Sequence, residues 1–377
     1  MVAYIGIGIC ILLILLLASK SGKTLADKIL LVWLLLIACH LTLYVFSIQP
    51  ITANNVHWLL GTSLPFPMLH GPLLYLYTAA MTNQLPRNRK WILVHFIPAL
   101  VAVLFFFPVL LRSAEEKLAF IRSGGEGYQT ANVLRIILLQ VSGFVYVLWS
   151  LWLLRRHKLN ISQEFSYEER INLNWLRYFI YGLAAIWLII VVTKSDYYIF
   201  GGAALFIVFL GYFGIRQVGI FTTANLYQTT PVPVIPAPVE VIENNPRRKY
   251  ANSGVTGEMS REIHQRLVQL MQEEKLFTEP DLSLSILADK INVHPNYLSQ
   301  VINEIEGKTF FEYINSLRVE EFKRLAALPE SRQFTIMSLA YDCGFNSKSS
   351  FNKNFKKATG LSPSEYLASI ADPSGTI

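Results

Sequence analysis

A chain of 377 residues that is 53% hydrophobic and only 16% charged falls well short of the roughly 25% charged residues of ordinary soluble domains, which excludes a single soluble globule and points to membrane-embedded sequence. Aromatic residues at 13% and long apolar runs exclude intrinsic disorder of the whole chain. The net charge of +7 is not a nucleic-acid signature by itself: residues 1–245 hold 17 Lys+Arg against 10 Asp+Glu, whereas residues 246–377 hold 16 of each, so the excess lies in the apolar half, where it sets membrane orientation.

A bilayer core of about 30 Å needs roughly 20 apolar residues per spanning helix. Seven windows meet or approach this: 2–18, 29–48, 59–80, 91–111, 133–154, 175–192 and 197–214. The third carries Pro65, Pro67 and Pro72, which predict a kink. Lys20 is the first basic residue and follows the first run, which argues against a signal peptide. Basic residues gather in the first loop (Lys20, Lys23, Lys28), the third (Arg87, Arg89, Lys90) and the fifth (Arg155, Arg156, Lys158), while the second, Gln49–Val56, has no charge. By the positive-inside rule loops one, three and five are cytoplasmic, the N-terminus faces out, and seven crossings put the C-terminus in the cytoplasm.

Polar residues inside these windows are His40, His70, His95, Arg135 and Gln140. His95 and Arg135 lie near window ends and are expected to snorkel. His40 and His70 are candidates for membrane sensing, His70 because it adjoins the Pro-rich stretch; the plainer expectation is a hydrogen bond to a neighbouring helix. No HxxxH or HExxH pattern occurs, and the three cysteines, Cys10, Cys39 and Cys343, form no CxxC, so no metal, cofactor or disulfide framework is expected.

Residues 218–250 change character. Pro231, Pro233, Pro236 and Pro238 favour an extended, semi-rigid spacer, closed by Arg247, Arg248 and Lys249.

Helical periodicity returns at Met259–Lys275, and the chain then repeats itself. Leu282-Ser283, Leu287-Ala288 and Asn292-Val293 match Phe334-Thr335, Leu339-Ala340 and Gly344-Phe345 at an offset of 52; Leu298, Ile302, Gly307 and Tyr313 match Phe351, Phe355, Gly360 and Tyr366 at 53. Each copy, at about 282–307 and 334–360, reads as helix, tight turn, helix. Ser283 and Thr335 are N-cap candidates, Leu282/Leu287 and Phe334/Leu339 have hydrophobic-staple spacing, Asn292 and Gly344 tolerate a left-handed turn, and Pro295 suits a first helical position. A connection of three to four residues is helix-turn-helix spacing, and Thr309–Ala327 is expected to join the copies as a helix.

The outward faces of the two second helices carry the candidate chemistry. His294, Asn296, Ser299 and Gln300 in the first, and Ser347, Lys348, Ser349 and Asn352 in the second, are base-reading candidates; Lys353, Lys356, Lys357 and Ser362 are phosphate candidates. Asn and Gln pair with adenine edges, Lys with guanine, and Lys and Ser with phosphate. A merely solvated face would suit one such helix; tandem turns with short polar residues at both entrances favour double-stranded DNA.

Residues 281–367 resemble the tandem helix-turn-helix domain of AraC-family transcription regulators. The run from Gly344 through Asn346, Ser347, Phe351, Asn352, Phe355 and Lys357 to Gly360, Ser362, Pro363 and Tyr366 is similar to that family's signature. Leu367 stands where a basic residue is common, which removes one phosphate contact, and Asn292 stands where Gly is usual. The segment LSQVINE at 298–304 resembles the membrane-tethered branch of Bacteroidetes-type bacteria. The resemblance covers about the last third of the chain.

The expected fold class is all-α: a seven-helix transmembrane domain at 1–217, the linker, and a cytoplasmic tandem helix-turn-helix domain at 251–377. The expected function is a transcription regulator anchored in the bacterial inner membrane, with double-stranded DNA, the lipid bilayer, a second copy of the chain and an unidentified signal ligand or membrane partner as its partners. A transporter or channel with a helical docking domain is the alternative, weakened by the lack of broken helices in matching positions. An enzyme is not expected: there is no Gly-rich phosphate loop, nucleophile elbow or paired-acid constellation, and His40, His70 and His95 lack metal spacing.

Overall fold

The computed structural model describes residues 2–47, 59, 61–88, 90–167, 173–193, 195–216 and 257–371. The Pro-rich linker and the uncharged second loop lie outside the described residues. The chain divides into two compact units, one of residues 1–155 and 173–235, the other of residues 156–172 and 236–377.

The first unit is helical through most of the described residues of its apolar windows. Helices α1 (Val2–Ser19), α2 (Leu25–Ser47), α3 (Phe66–Met81), α4 (Lys90–Val94), α5 (Ile97–Leu110), α6 (Ala114–Arg122), α7 (Gln129–Glu164), α8 (Asn174–Thr193) and α9 (Asp196–Arg216) follow in order. Among the described residues, α1, α2, α7 and α8 are long and apolar enough to cross a membrane. The third and fourth windows give shorter pieces, for reasons visible in their prolines. Pro67 sits in the first turn of α3, where its missing N–H costs nothing, so the helix starts at Phe66 and leaves residues 61–65 as turns. Pro98 cannot donate to the turn before it, and the fourth window breaks at His95–Phe96 into α4 and α5.

α1 packs on α2 and α9, α3 on α2, and α8 on α9. Leu13, Leu17, Trp33, Leu34 and Ile180 are fully buried in this core, where Trp33 stands edge-on to Phe179 at 5.4 Å. Gly6 allows the α1–α9 approach: a Cβ there would lie 2.9 Å from Ala204 Cβ. Small residues serve this role between membrane helices. The outside is apolar too, with Leu104, Leu148 and Val192 more than 60% exposed. Thr24 caps α2 and is gripped in turn by Asp27, which also pairs with Lys20 Nζ at 2.9 Å.

The second unit holds α10 (Gly257–Glu273), α11 (Leu284–Lys290), α12 (Pro295–Val301), α13 (Phe310–Ala326), α14 (Ile336–Asp342), α15 (Lys348–Thr359) and α16 (Pro363–Ala371). α11 and α14 start 52 residues apart and α12 and α15 start 53 apart, the two offsets of the sequence repeat. Each repeat has its own core. Leu267, Leu287, Leu298, Val301 and Ile314 fill the first; Phe322, Cys343, Phe345, Phe351 and Phe355 fill the second. α13 serves both, giving Phe310 and Ile314 to the first and Val319 and Phe322 to the second. Thr309 and Glu312 form a reciprocal capping box at its start.

Candidate nucleic-acid interface

Local rules build both turns. Ser283 and Thr335 cap α11 and α14, accepting from Ile286 N at 3.3 Å and Ser338 N at 3.1 Å. The chain then reverses through a left-handed residue, Asn292 (φ 54°) or Gly344 (φ 90°). Pro295 opens α12 behind His294, whose Nδ1 accepts from Asn296 N at 3.2 Å. Ser347 opens α15, accepting from Ser350 N at 3.1 Å. Asn346 ties the second turn to the chain before α11 by donating to Pro280 O at 3.1 Å.

The two second helices present different faces. On α15, Lys348, Ser349, Asn352, Lys353, Lys356 and Lys357 are all exposed and Ser347 is half-buried. There is no acid between Asn346 and Leu361, so this is a cationic stripe on a helix whose apolar side, Phe351 and Phe355, is anchored in the core. Lys353 lies over the Phe311 ring at 5.9 Å, and Lys357 Nζ pairs with Glu312 Oε1 at 2.7 Å. Ser362 caps α16: its N donates to Glu365 Oε2 at 2.7 Å and its Oγ accepts from Glu365 N at 3.3 Å.

On α12, His294 and Asn296 are exposed, but Ser299 and Gln300 are buried, at 9% and 4%, where their spacing alone puts them outward. α10 packs against α12, and Gln300 Nε2 donates to Glu304 Oε1 at 2.9 Å. Ser299 Oγ and Asn303 Nδ2 both donate to Gln163 Oε1, at 3.3 and 3.1 Å. That partner comes from residues 156–172 of the same compact unit.

Sequence reasoning passed over the buried polar centre of this unit. Arg318 on α13 is 1% exposed. Its Nε donates to Phe277 O at 2.6 Å and its Nη2 to Glu279 O at 2.7 Å. Burial lowers its pKa to about 10 against the upward pull of Asp281, so it stays charged at neutral pH. Nothing in the helical pattern marks it except an Arg on an otherwise core-facing stripe between Ile314 and Phe322.

In the first unit the two candidate sensing histidines meet. His70 Nδ1 accepts from Trp33 Nε1 at 3.1 Å, and His40 Nδ1 lies 3.3 Å from His70 Nε2. No group of three His, Cys, Asp or Glu side chains suited to a metal occurs among the described residues.

Two capped helix pairs bridged by one helix, the second with an open cationic face, define a helix-turn-helix domain. A family model described as a helix-turn-helix domain matches residues 287–369. The uncharacterized transcriptional regulatory protein YesN of Bacillus subtilis (strain 168) is 29% identical over 118 residues, 29% of this chain and 31% of that protein. The uncharacterized HTH-type transcriptional regulator YobQ of the same organism is 36% identical over 85 residues, 22% of this chain and 34% of that protein. Among solved structures, the C-terminal domain of AraT, a response regulator from Geobacillus stearothermophilus, is 26% identical with a TM-score of 0.25, covering 31% of this chain and 88% of that one. The C-terminal part of the chain is a helix-turn-helix domain of the AraC type. The chain spans between 11% and 34% of the length of the curated relatives it matches.

Proposed function

We propose that the protein is a transcription regulator anchored in the bacterial inner membrane, which reads double-stranded DNA in the cytoplasm through its two helix-turn-helix repeats and couples that reading to a signal at the membrane. In this reading residues 1–217 cross the bilayer seven times with the N-terminus outside, residues 218–250 are a spacer, and residues 251–377 bind DNA. The observation that carries it is the cationic face of α15, set on the second of two capped helix pairs. The second helix of such a pair enters the major groove and offers its first residues to base edges. His294, Asn296, Ser347, Lys348, Ser349 and Asn352 then read bases, with Ser299 joining them only when Gln163 leaves it and the buried Gln300 taking no part, and Lys353, Lys356, Lys357 and Ser362 hold phosphates. Apolar exteriors on α5, α7 and α8 support a lipid environment, because so much exposed hydrocarbon is a liability in water. His40 and His70 are the proposed sensing pair, and pairing of two chains is the proposed way a signal raises avidity.

The test is selection of a random duplex pool on the purified full-length protein in detergent micelles. A recovered consensus is expected. Asn296→Ala and Lys348→Ala should each relax preference at one position by about 1–3 kcal/mol. Recovery of no consensus, with binding that depends only on salt, rejects sequence-specific reading.

A further inference from the structure

At the end of α7 the chain runs as a short strap, residues 163–166, over the first helix-turn-helix repeat within the second compact unit. Phe165 forms an antiparallel bridge with Ser283. Ser166 donates twice to Leu282 O, from N at 3.2 Å and from Oγ at 2.7 Å. Ser166 O accepts from Asn315 Nδ2 at 2.9 Å and from Arg318 Nη1 at 3.3 Å, and Ser166 Oγ accepts from Arg318 Nη2 at 3.1 Å. Ser166 is thereby 0% exposed, and it supplies part of the acceptor shell of a buried guanidinium. Further along, Gln163 Oε1 takes hydrogen bonds from Ser299 and Asn303.

The placement of Gln163 matters most. Asn296 and Ser299, three residues apart, share one stripe of α12, and Asn303, in the π-helical turn Ile302–Glu306 that continues α12, bonds back to Ser299 O at 2.7 Å. The fully buried Leu298, Val301 and Ile302 lie on the opposite side. Gln163 therefore covers the polar stripe at Ser299 and Asn303, not the core side, while Asn296 at the start of the stripe stays exposed. A helix with its side chains is about 10–12 Å across, and the major groove is about 12 Å wide and 8.5 Å deep. The groove that admits α12 has no room for a second chain on the face turned to the bases.

The geometry points to an autoinhibitory strap: residues 163–166 are pinned to the first repeat with Gln163 over the Ser299–Asn303 part of its reading face, and they must leave before α12 can seat fully in a major groove. The inference rests on the DNA-reading role proposed above. The contact is made of hydrogen bonds that water replaces when the strap leaves, so it is exchangeable, unlike an apolar core. The face of α15 is open throughout. The closed protein can engage DNA through the second repeat alone, and opening adds the first. The strap is the last two residues of α7 and the two that follow it, so a change in that apolar helix can reach the DNA-reading face through the chain itself.

The test locks the strap shut. Partners across an antiparallel bridge have Cα atoms about 4.5–5.5 Å apart, within disulfide range. Full-length protein in micelles carries Phe165→Cys with Ser283→Cys, in a Cys39→Ser background because Cys39 is the exposed native thiol. The probe is a fluorescent duplex selected from a random pool on the reduced protein. Oxidation is expected to weaken duplex binding at least tenfold and dithiothreitol to restore it, with neither single-cysteine variant responding. Gln163→Ala, which leaves the fold's caps and cores untouched, should tighten binding about fivefold. Equal affinity of the oxidised and reduced double variant, or failure of the disulfide to form, overturns the strap while leaving the DNA-reading role standing. Failure of the reduced protein to select any duplex overturns both.

Discussion

Lys357 Nζ lies 2.7 Å from Glu312 Oε1, so the last lysine of the cationic stripe on α15 is held by the acid whose other oxygen caps α13. Glu312 Oε2 accepts from Thr309 N at 3.0 Å and from Thr309 Oγ1 at 3.1 Å. The carboxyl is held below the usual carboxylate range, first by Lys357 and then by the Thr309 N–H. A phosphate that takes Lys357 must compete with this pair, whereas among the described residues no carboxylate pairs with the exposed Lys356.

The two lysines should therefore respond differently to mutation. Lys356→Ala is expected to weaken duplex binding evenly across sequences and to reduce the slope of log affinity against log salt by about 1. Lys357→Ala should cost less, because an exposed pair worth about 0.2–1 kcal/mol must be given up before the lysine reaches DNA. Salt titrations of both variants against one duplex decide this, and identical slopes and losses would show that Glu312 does not restrain Lys357.

Gly344 should be the least replaceable glycine of the two repeats. Its φ is +90°, and a Cβ there would stand 2.6 Å from Thr278 O and 2.8 Å from Phe277 O, both backbone atoms. Gly307 has a φ of +65° but open space around it. Gly307→Ala should cost about 1 kcal/mol for the left-handed conformation alone. Gly344→Ala adds a clash that only a shift of the chain before α11 can relieve, so a loss at least about 2 kcal/mol larger is expected. Chemical unfolding of the two variants followed by the far-ultraviolet helix signal compares them; equal losses would mean that the chain at Phe277–Thr278 yields freely.

The outline of the C-terminal unit was legible because its signals are local. Ser283, Thr335 and Ser347 cap helices whose first turns lie within three residues of them, and Asn292 and Gly344 turn the chain where their own backbone preferences allow. The break in the fourth apolar window could have been seen in Pro98. The burial of Ser299 could not. Its partner Gln163 is 136 residues away, and Ser166 is 152 residues from Arg318. A helical pattern separates an apolar face from a polar one, but a polar face covered by a distant strap has the same pattern as one in water. Gln300 differs again: it is buried and turned back onto Glu304, and its polar type gave no sign of that.

Glu321 should make the second unit acid-sensitive. Its Oε1 accepts from Arg324 Nη2 at 2.8 Å and from Lys275 Nζ at 2.9 Å, and its Oε2 from Arg324 Nε at 2.9 Å. Arg324 first, then Lys275, pull its pKa from 4.5 down to about 2. A folded-state pKa below the unfolded one means stability that is fully present above the unfolded value and is lost as pH falls toward the folded value. The thermal midpoint should thus decline between pH 4.5 and 2, and Glu321→Gln should flatten that decline while lowering the midpoint at pH 7. A variant whose midpoint still falls as steeply over that range would place the acid sensitivity elsewhere.

The proposed topology has one weak joint, and one measurement addresses it. Residues 156–172 share a compact unit with the C-terminal domain, which requires the fifth loop and the C-terminus to lie on one side of a membrane. In the proposed topology, crossing by α8 alone would separate them, so α9 is proposed to cross with it, which adds a span to α1, α2, α7 and α8 and leaves five or seven crossings. The joint is α3 with α4 and α5. At 1.5 Å per residue α3 is about 24 Å long and α5 about 21 Å, each short of a core of about 30 Å. If neither crossed, the side of every other loop would stay the same, because two crossings would be lost together. Only the third loop, with Arg87 and Lys90, would change side. Reporters active only in the cytoplasm, fused after Lys158 and Gln217, are expected to be active, and those after Asn54 and Gly125 inactive, under either count. A fusion after Lys90 separates them: activity there requires α3 to cross and α4–α5 to return, and inactivity would leave a five-span protein with a re-entrant hairpin on the outer side.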